Sequence, residues 1–422
     1  MPKKDPIELR REFHRYPESG WTEFRTTVRI LEELQALGIP VRWGRQIHDP
    51  ARMLGLPEPQ VLEACWQRAA EETGREDLLA PMRGGFTGCV AEIRGALPGP
   101  LTVLRVDIDC CEVAESTTPD HRPVREGFAS LHPNCMHACG HDAHTAIGLG
   151  TAVRLWERRA ELPGTVRLIF QSAEEGLRGA ASRTAAGVLE GADRLFGLHV
   201  GILPGPVGRV AVSARGFLSS TKLDVVFRGR SAHAGICPQE GRNALAAGAK
   251  AALGLLAIPE GFSEVCRVNV GTFRAGTGRN VIPDRAHLSI ETRGETARVN
   301  AEAEAAAREV CRAAAEEYGC TVEFFPMGGA GGAGCDEALA RRAAQTAKET
   351  SGVTEVLFEV PFGGGEDVTT MISAVQARGG EATELVLCAG HTAPHHNGAF
   401  EIDEAVIPLG VELLTRLAME SR

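Results

Sequence analysis

Four short apolar runs stand out in the chain, each ending on side chains that bind metals well. Residues 101–109 (LTVLRVDID) close on Asp107 and Asp109, and residues 165–171 (TVRLIFQ) run straight into Glu174 and Glu175. Residues 196–200 (FGLHV) carry His199, and residues 384–389 (ELVLCA) lead into a loop with His391, His395 and His396. Runs of this length, flanked by turn residues, predict buried strands. Residues 6–38 show the spacing of one amphipathic helix, and residues 50–80 that of one or two helices inserted before a strand at 88–94. From there to about residue 212 strands and helices alternate, which predicts a parallel or mixed sheet with helices on both faces.

Between residues 216 and 326 the texture changes. Strand patterns at 221–228, 266–273 and 286–292 are separated by helical patterns at 242–256 and 299–318. Strand–helix–strand–strand–helix–strand is the order of a ferredoxin-like α+β unit. Gly/Pro-rich joints, GILPGPVG and PMGGAGGAG, flank it. The expected fold is therefore an α/β, mixed-sheet domain built from residues 1–215 and 327–422, with residues 216–326 inserted as a second domain. No internal repeat or low-complexity stretch interrupts this plan.

Composition narrows the function classes. The chain has 422 residues, 43 % of them hydrophobic, enough for a sizeable core. A formal net charge of −10 and a pI near 5.8, with no basic stripe, argue against nucleic acid as a partner. No run reaches the roughly 18 apolar residues of a membrane span. The N-terminal stretch lacks an apolar secretory segment, so the expected location is the cytoplasm. The 12 cysteines are irregularly spaced and expected to be reduced thiols. Adjacent Cys110 and Cys111 are expected to pack beside the site without bridging to one another.

Loops leaving the carboxyl ends of strands in an open α/β sheet converge on one crevice. The stretch MHACGHDAHT adds His137, Cys139, His141, Asp142 and His144 to that crevice. Singly, these residues have bland readings. A histidine after a strand is usually a satisfied core or surface group, and His14, His48, His121, His132 and His287 are given that reading. A Glu pair is usually a solvated helix start, and a lone cysteine a small buried hydrophobe. Together they read differently. Cys139 and His141, two apart around Gly140, cannot share a helical face and meet one ion only from a loop. A Cys/His/His/His/Glu set suits two divalent ions, which polarise a carbonyl oxygen and activate water. Neighbouring glutamates at a strand end point different ways, so one of Glu174 and Glu175 can ligate while the other serves as general base.

The segments RREFHRYPESGWTE, RVDID, MHACGHDAHTAIGLG, VRLIFQSAEEG, FGLHV, SAHAG, GRNVIP and HHN resemble the aminoacylase, hippurate hydrolase and indoleacetyl-amino-acid hydrolase family of dinuclear metallopeptidases. The resemblance runs through nearly the whole chain. It implies that Cys139, His141, Glu175, His199 and His396 are metal ligands and that Glu174 is the catalytic base. His396 is preferred over His395 and His391 because the family's ligand directly precedes the Asn matched by Asn397. It implies that His233, in the inserted domain, steadies the carbonyl oxyanion in a neighbouring subunit's site, and that Arg279 and Asn280 contact substrate. Dimerisation through the inserted domain follows, as a homodimer or with a related subunit.

Two departures concern the surroundings. Where the family reads D-x-D-A-L, this chain reads Asp107-Ile108-Asp109-Cys110-Cys111, and Ser172 replaces the usual Pro before Ala-Glu-Glu. Two ions per chain are implied. The thiolate argues for Zn²⁺ and the carboxylate share admits Mn²⁺, with the resemblance favouring Mn²⁺. The expected substrate is a small N-acyl amino acid such as p-aminobenzoyl-glutamate. The alternatives are an indoleacetyl-aspartate or hippurate-type hydrolase, or a non-catalytic partner subunit, which the intact base and ligand series argue against.

Overall fold

The computed structural model describes residues 4–421, which form two compact units. One comprises residues up to Arg215 together with Ala333–Gly363 and Asp367–Arg422; the other comprises Gly216–Gly332 and Gly364–Glu366.

In the first unit the amphipathic pattern at 6–38 is two helices, α1 (Pro6–Arg15) and α2 (Phe24–Ala36). Proline disfavours helical backbone in the residue before it, and Tyr16 leaves the helix at φ −125° and ψ 60°. Trp21, in left-handed backbone at φ 70°, completes the break. Glu18 then closes the start of α2, accepting the N–H groups of Arg25 and Thr26 at 3.1 and 2.8 Å. Apolar spacing continues across the break, which is why the pattern alone reads as one helix.

There follow β1 (Cys89–Arg94), β2 (Leu97–Asp107), α3 (His141–Glu157), β3 (Pro163–Gln171) and β4 (Arg194–Val200). The second unit supplies β5 (Ser219–Arg228), α4 (Ala244–Ala257), β6 (Cys266–Ala275), β7 (Arg285–Gly294), α5 (Ala297–Glu317) and β8 (Thr321–Ala330). The chain returns to the first unit with β9 (Glu381–Leu387) and α6 (Val406–Ala418).

Among the described residues the first unit's main sheet has eight strands, in the order Val41–Trp43, β1, β3, β2, β4, β9, Arg209–Ala211, Glu355–Leu357. The four central strands, β3, β2, β4 and β9, are mutually parallel, while β1 and Arg209–Ala211 run antiparallel to their inner neighbours. Side chains alternate across the sheet. Leu104 and Val106 of β2 join the core under α1, α2, α3 and α6, while Val103 packs on the opposite face with Val368, Met371 and Ile372. With both faces covered, the parallel strands present their carboxyl ends at one edge, where the loops carrying residues 109, 174–175 and 391–396 emerge.

The second unit is a four-stranded antiparallel sheet in the order β8, β5, β7, β6, whose core includes residues of α4 and α5. The helical segment Ala244–Gly261, α4 with the 3₁₀ turn Ile258–Gly261 that follows it, has a mean hydropathy of 1.2 over 18 residues and is long and apolar enough to cross a membrane by length and composition. This corrects the sequence expectation that no run reaches that measure; its alanines and glycines each add little, so the stretch does not stand out as a run. Ala244, Ala247, Ala251 and Leu255 face the unit's core. All 12 cysteines are free thiols.

Candidate metal centre

The loop before α3 turns on Gly140, which caps the helix at φ +85°. A Cβ there would come within 2.6 Å of Val200 Cγ2, so only glycine lets the loop lie against β4. That turn carries Cys139 to the strand ends, with its Sγ 3.6 Å from His199 Nε2 and 3.3 Å from His395 Nδ1. His141 opens α3. Its Nδ1 bonds the Asp109 carbonyl at 2.9 Å, and His199 Nδ1 bonds the Val200 carbonyl at 2.9 Å. A backbone carbonyl on Nδ1 fixes the tautomer and leaves Nε2 as a lone-pair donor, the usual support of a ligating histidine. His141 Nε2 is buried with no hydrogen-bond partner among the described residues, and ligand atoms of Cys139, His141 and His199 lie within 4.8 Å of one another.

The two strand-end aspartates act as holders. Asp109 accepts the backbone N–H of Glu174 at 3.1 Å and of Glu175 at 2.9 Å, one on each oxygen. Asp107 binds His144 Nδ1 at 2.6 Å and Arg105 Nη1 at 2.9 Å. His144 Nε2 accepts the Val200 N–H at 2.9 Å, so both its nitrogens are committed and it ties β2 to β4. His137 is buried, and burial pushes its pKa down to about 3.

Glu175 and His396 form a second group. His396 Nε2 lies 3.3 Å from Glu175 Oε1, and the His396 N–H bonds the Ala138 carbonyl at 2.8 Å, holding this loop on the one before α3. Cys111 Sγ donates to the same Glu175 oxygen at 3.0 Å. Glu174 Oε2 is 4.0 Å from His141 Nε2, and ligand atoms of Glu174, Glu175 and His141 again lie within 4.8 Å. The first unit thus gathers Cys139, His141, His199, Glu174, Glu175 and His396, with His395 beside Cys139.

His233, Arg279 and Asn280 belong to the second unit and are exposed. They cluster around the bridge between His233 and Val281, where the Ala234 N–H bonds the Asn280 carbonyl at 3.0 Å. His233 Nδ1 accepts the N–H groups of Gly235 and Ile236, both at 3.1 Å.

Several supporting residues escape sequence reasoning. Glu23 accepts the Ala173 N–H at 2.7 Å and the Thr87 hydroxyl at 2.6 Å, holding Ala173 in left-handed backbone at φ 56° just before the glutamates. Burial, with Asp109 nearby, pushes the Glu23 carboxyl up to about 8. Arg105 bridges Asp107 and Asp367 at 2.9 Å each; a charge inside the apolar run LTVLRVDID is the one signal that could have found it. Behind α3, Asp142 binds His14 Nδ1 at 2.8 Å and Arg10 Nε at 2.7 Å. Arg10 also pairs with Glu401 at 2.9 Å and Glu404 at 3.3 Å.

The donor set fits divalent cations. Burial depresses the pKa of His199 well below its usual value, keeping it neutral and able to ligate. Burial opposes charge on His141, yet Asp107 and Asp109 raise its pKa to about 10. The cluster is acid-rich, so without an ion it draws in a proton that a cation replaces.

His14 gives a testable stability effect away from the ligands. Burial opposes its charge, but hydrogen bonds to Asp142 and Glu115 raise its pKa from 6.5 to about 9. A raised folded-state pKa gives stabilisation that is fully present below the unfolded value and lost as pH rises through the folded one. The stability advantage of the wild type over His14→Asn is expected to shrink by on the order of 3 kcal/mol between about pH 6 and about pH 9.5. Urea unfolding of both proteins measures it, and a constant difference contradicts the assignment.

A sequence profile for peptidase family M20/M25/M40 matches residues 103–420. The chain is 43 % identical to indole-3-acetyl-aspartic acid hydrolase of Enterobacter agglomerans over 98 % of its length and 94 % of the relative's. It is 40 % identical to one of the subunits of p-aminobenzoyl-glutamate hydrolase from Escherichia coli K12, over 97 % and 94 %. Among solved structures it resembles the Bacillus subtilis YXEP protein, described as a dinuclear metal binding peptidase from the M20 family, at TM-score 0.67 and 27 % identity, covering 99 % and 98 %.

Proposed function

The chain belongs to peptidase family M20/M25/M40, and from that premise we propose that it is a metal-dependent amidohydrolase cleaving p-aminobenzoyl-glutamate to p-aminobenzoate and glutamate. The observation that carries the metal-dependent hydrolysis is the gathering of Cys139, His141, His199, Glu175 and His396 at the parallel strand ends, with the Glu174 carboxylate beside them; the 40 % identity to a subunit of p-aminobenzoyl-glutamate hydrolase supports the substrate. We assign two divalent ions to these five ligands. Mn²⁺ is the choice the family resemblance favours, and Zn²⁺ the alternative favoured by the thiol. Bound there, the ions supply Lewis acidity toward a carbonyl oxygen and lower the pKa of water.

The chain's own residues do the rest. Glu174 takes the proton of the attacking water and returns it to the amine nitrogen as the C–N bond breaks. Because His233 Nδ1 accepts two backbone N–H groups, the neutral ring carries its proton on Nε2, the form that donates to a developing oxyanion. Arg279 and Asn280 are assigned to the substrate's free carboxylate, which a guanidinium binds through two parallel hydrogen bonds. Assembly as a homodimer, or with a related subunit, belongs to the same proposal; the relative from Escherichia coli is itself one part of a larger enzyme by its description.

A second reading keeps the mechanism and changes the acyl group. It is favoured by the 43 % identity to an indoleacetyl-aspartic acid hydrolase. Assaying the purified, metal-loaded protein on both compounds and on hippurate decides between them. Arg279→Ala is expected to raise KM for the preferred acyl amino acid far more than it lowers kcat, and His233→Ala to do the reverse. The opposite partition overturns both assignments, and no hydrolysis of any N-acyl amino acid overturns the function.

A further inference from the structure

Cys110-Cys111 replaces the Ala-Leu that the related family carries after the first strand. The structure gives Cys111 a defined place. Its N–H bonds the Met136 carbonyl at 3.0 Å, and the Met136 N–H returns to the Cys111 carbonyl at 3.1 Å. The preceding N–H, of Cys110, is held by the Glu18 carbonyl at 2.9 Å. The backbone is pinned on both sides, and the side chain is buried at 4 % exposure.

From that position the Cys111 sulfur and the His396 nitrogen converge on a single oxygen. Cys111 Sγ is 3.0 Å and His396 Nε2 3.3 Å from Glu175 Oε1, and ligand atoms of all three residues lie within 4.8 Å of one another. Around a tetrahedral zinc ion, with metal–ligand distances near 2.0–2.3 Å, oxygen and nitrogen donors sit about 3.3 Å apart and oxygen and sulfur donors about 3.6 Å apart. The Glu175–His396 spacing already matches an edge of that tetrahedron. The Cys111–Glu175 spacing of 3.0 Å opens by about 0.6 Å to reach its edge.

We propose that Cys111 is a ligand of the ion held by Glu175 and His396, giving the centre a second thiolate beside Cys139 and making this position prefer Zn²⁺ to Mn²⁺. Ligation breaks the S–H bond, the proton leaves to solvent, and the sulfur lone pair goes to the metal. Soft thiolate donors favour zinc, whereas manganese favours oxygen.

The inference rests on the metal centre proposed above, and reconstitution with Co²⁺ separates the two. The full chain, stripped of metal and reloaded, is expected to take up two cobalt ions and to show a near-ultraviolet thiolate-to-cobalt band. In Cys111→Ser that band is expected to fall by about half, with one ion bound normally and the other at least about tenfold more weakly. Cys111→Asp, which restores an anionic oxygen donor, should recover two ions, keep the diminished band and shift the competition from zinc to manganese. It also serves as the test protein if the serine variant does not fold. Two cobalt ions with a band unchanged in these variants overturn the role of Cys111 alone. No cobalt uptake by the wild type overturns the metal centre, and this inference with it.

Discussion

Glu174→Gln is expected to keep its metal while kcat falls by about 10²–10⁴-fold, the usual cost of losing a general base. The substitution keeps the size of the side chain and its place, because the backbone N–H of residue 174 stays on Asp109. Only the ability to accept a proton is removed. Glu174 is 6 % exposed and its carboxylate lies 4.0 Å from His141 Nε2, close enough to face a water at the centre, while the proposal assigns ion binding to Glu175. Steady-state kinetics beside elemental analysis of the same preparation read both quantities. Near-normal turnover moves the base to another carboxylate.

Cys139→Ala and His199→Ala are expected to lose metal and activity together. Cys139 Sγ contacts both His199 and His395, so its removal takes the sulfur from the middle of the donor set. His199 is buried, neutral and braced by a backbone carbonyl, and nothing else on β4 replaces it. A bound ion stabilises the folded state by mass action. Chelation should therefore lower the melting temperature of the wild type and barely move that of either variant. Full two-ion occupancy in the Cys139→Ala protein contradicts its assignment as a ligand.

Much of this arrangement is legible in the sequence because it is local. The apolar runs of β2, β3, β4 and β9 are short, bounded and buried on both faces, so their strand character shows without an alternating pattern. Cys139, His141 and the two glutamates lie within a few residues of strand ends or a helix start, and topology brings such positions together. What the sequence hides is of three kinds. The break between α1 and α2 lies in a stretch whose apolar spacing carries on regardless. Strands of three residues, such as Arg209–Ala211 and Glu355–Leu357, are defined only by their neighbours. Long-range supports are the third kind: Arg105 and Asp367 meet across 262 residues of sequence, and Glu23 reaches across 150 to Ala173. Asp107 and Asp109 show the same limit from the other side. The pattern placed them at the site, but only the hydrogen bonds reveal that they hold the candidate ligands and their loops.

The ion pairs behind α3 bear on how the protein is made. Arg10, from the first helix, braces Asp142 beside His141, and it meets Glu404 across a sequence separation of 394 residues. During synthesis at about 5–20 residues per second, the N-terminal helix waits through nearly the whole of translation for that partner. The intervening unit, whose sheet joins segments between 219 and 330, closes shorter loops and has its own core to fold around in the meantime. Long-range closure is the slow step in such topologies. The strands and helices of the second unit are therefore all synthesised before Glu404, the distant partner of Arg10, is added to the chain.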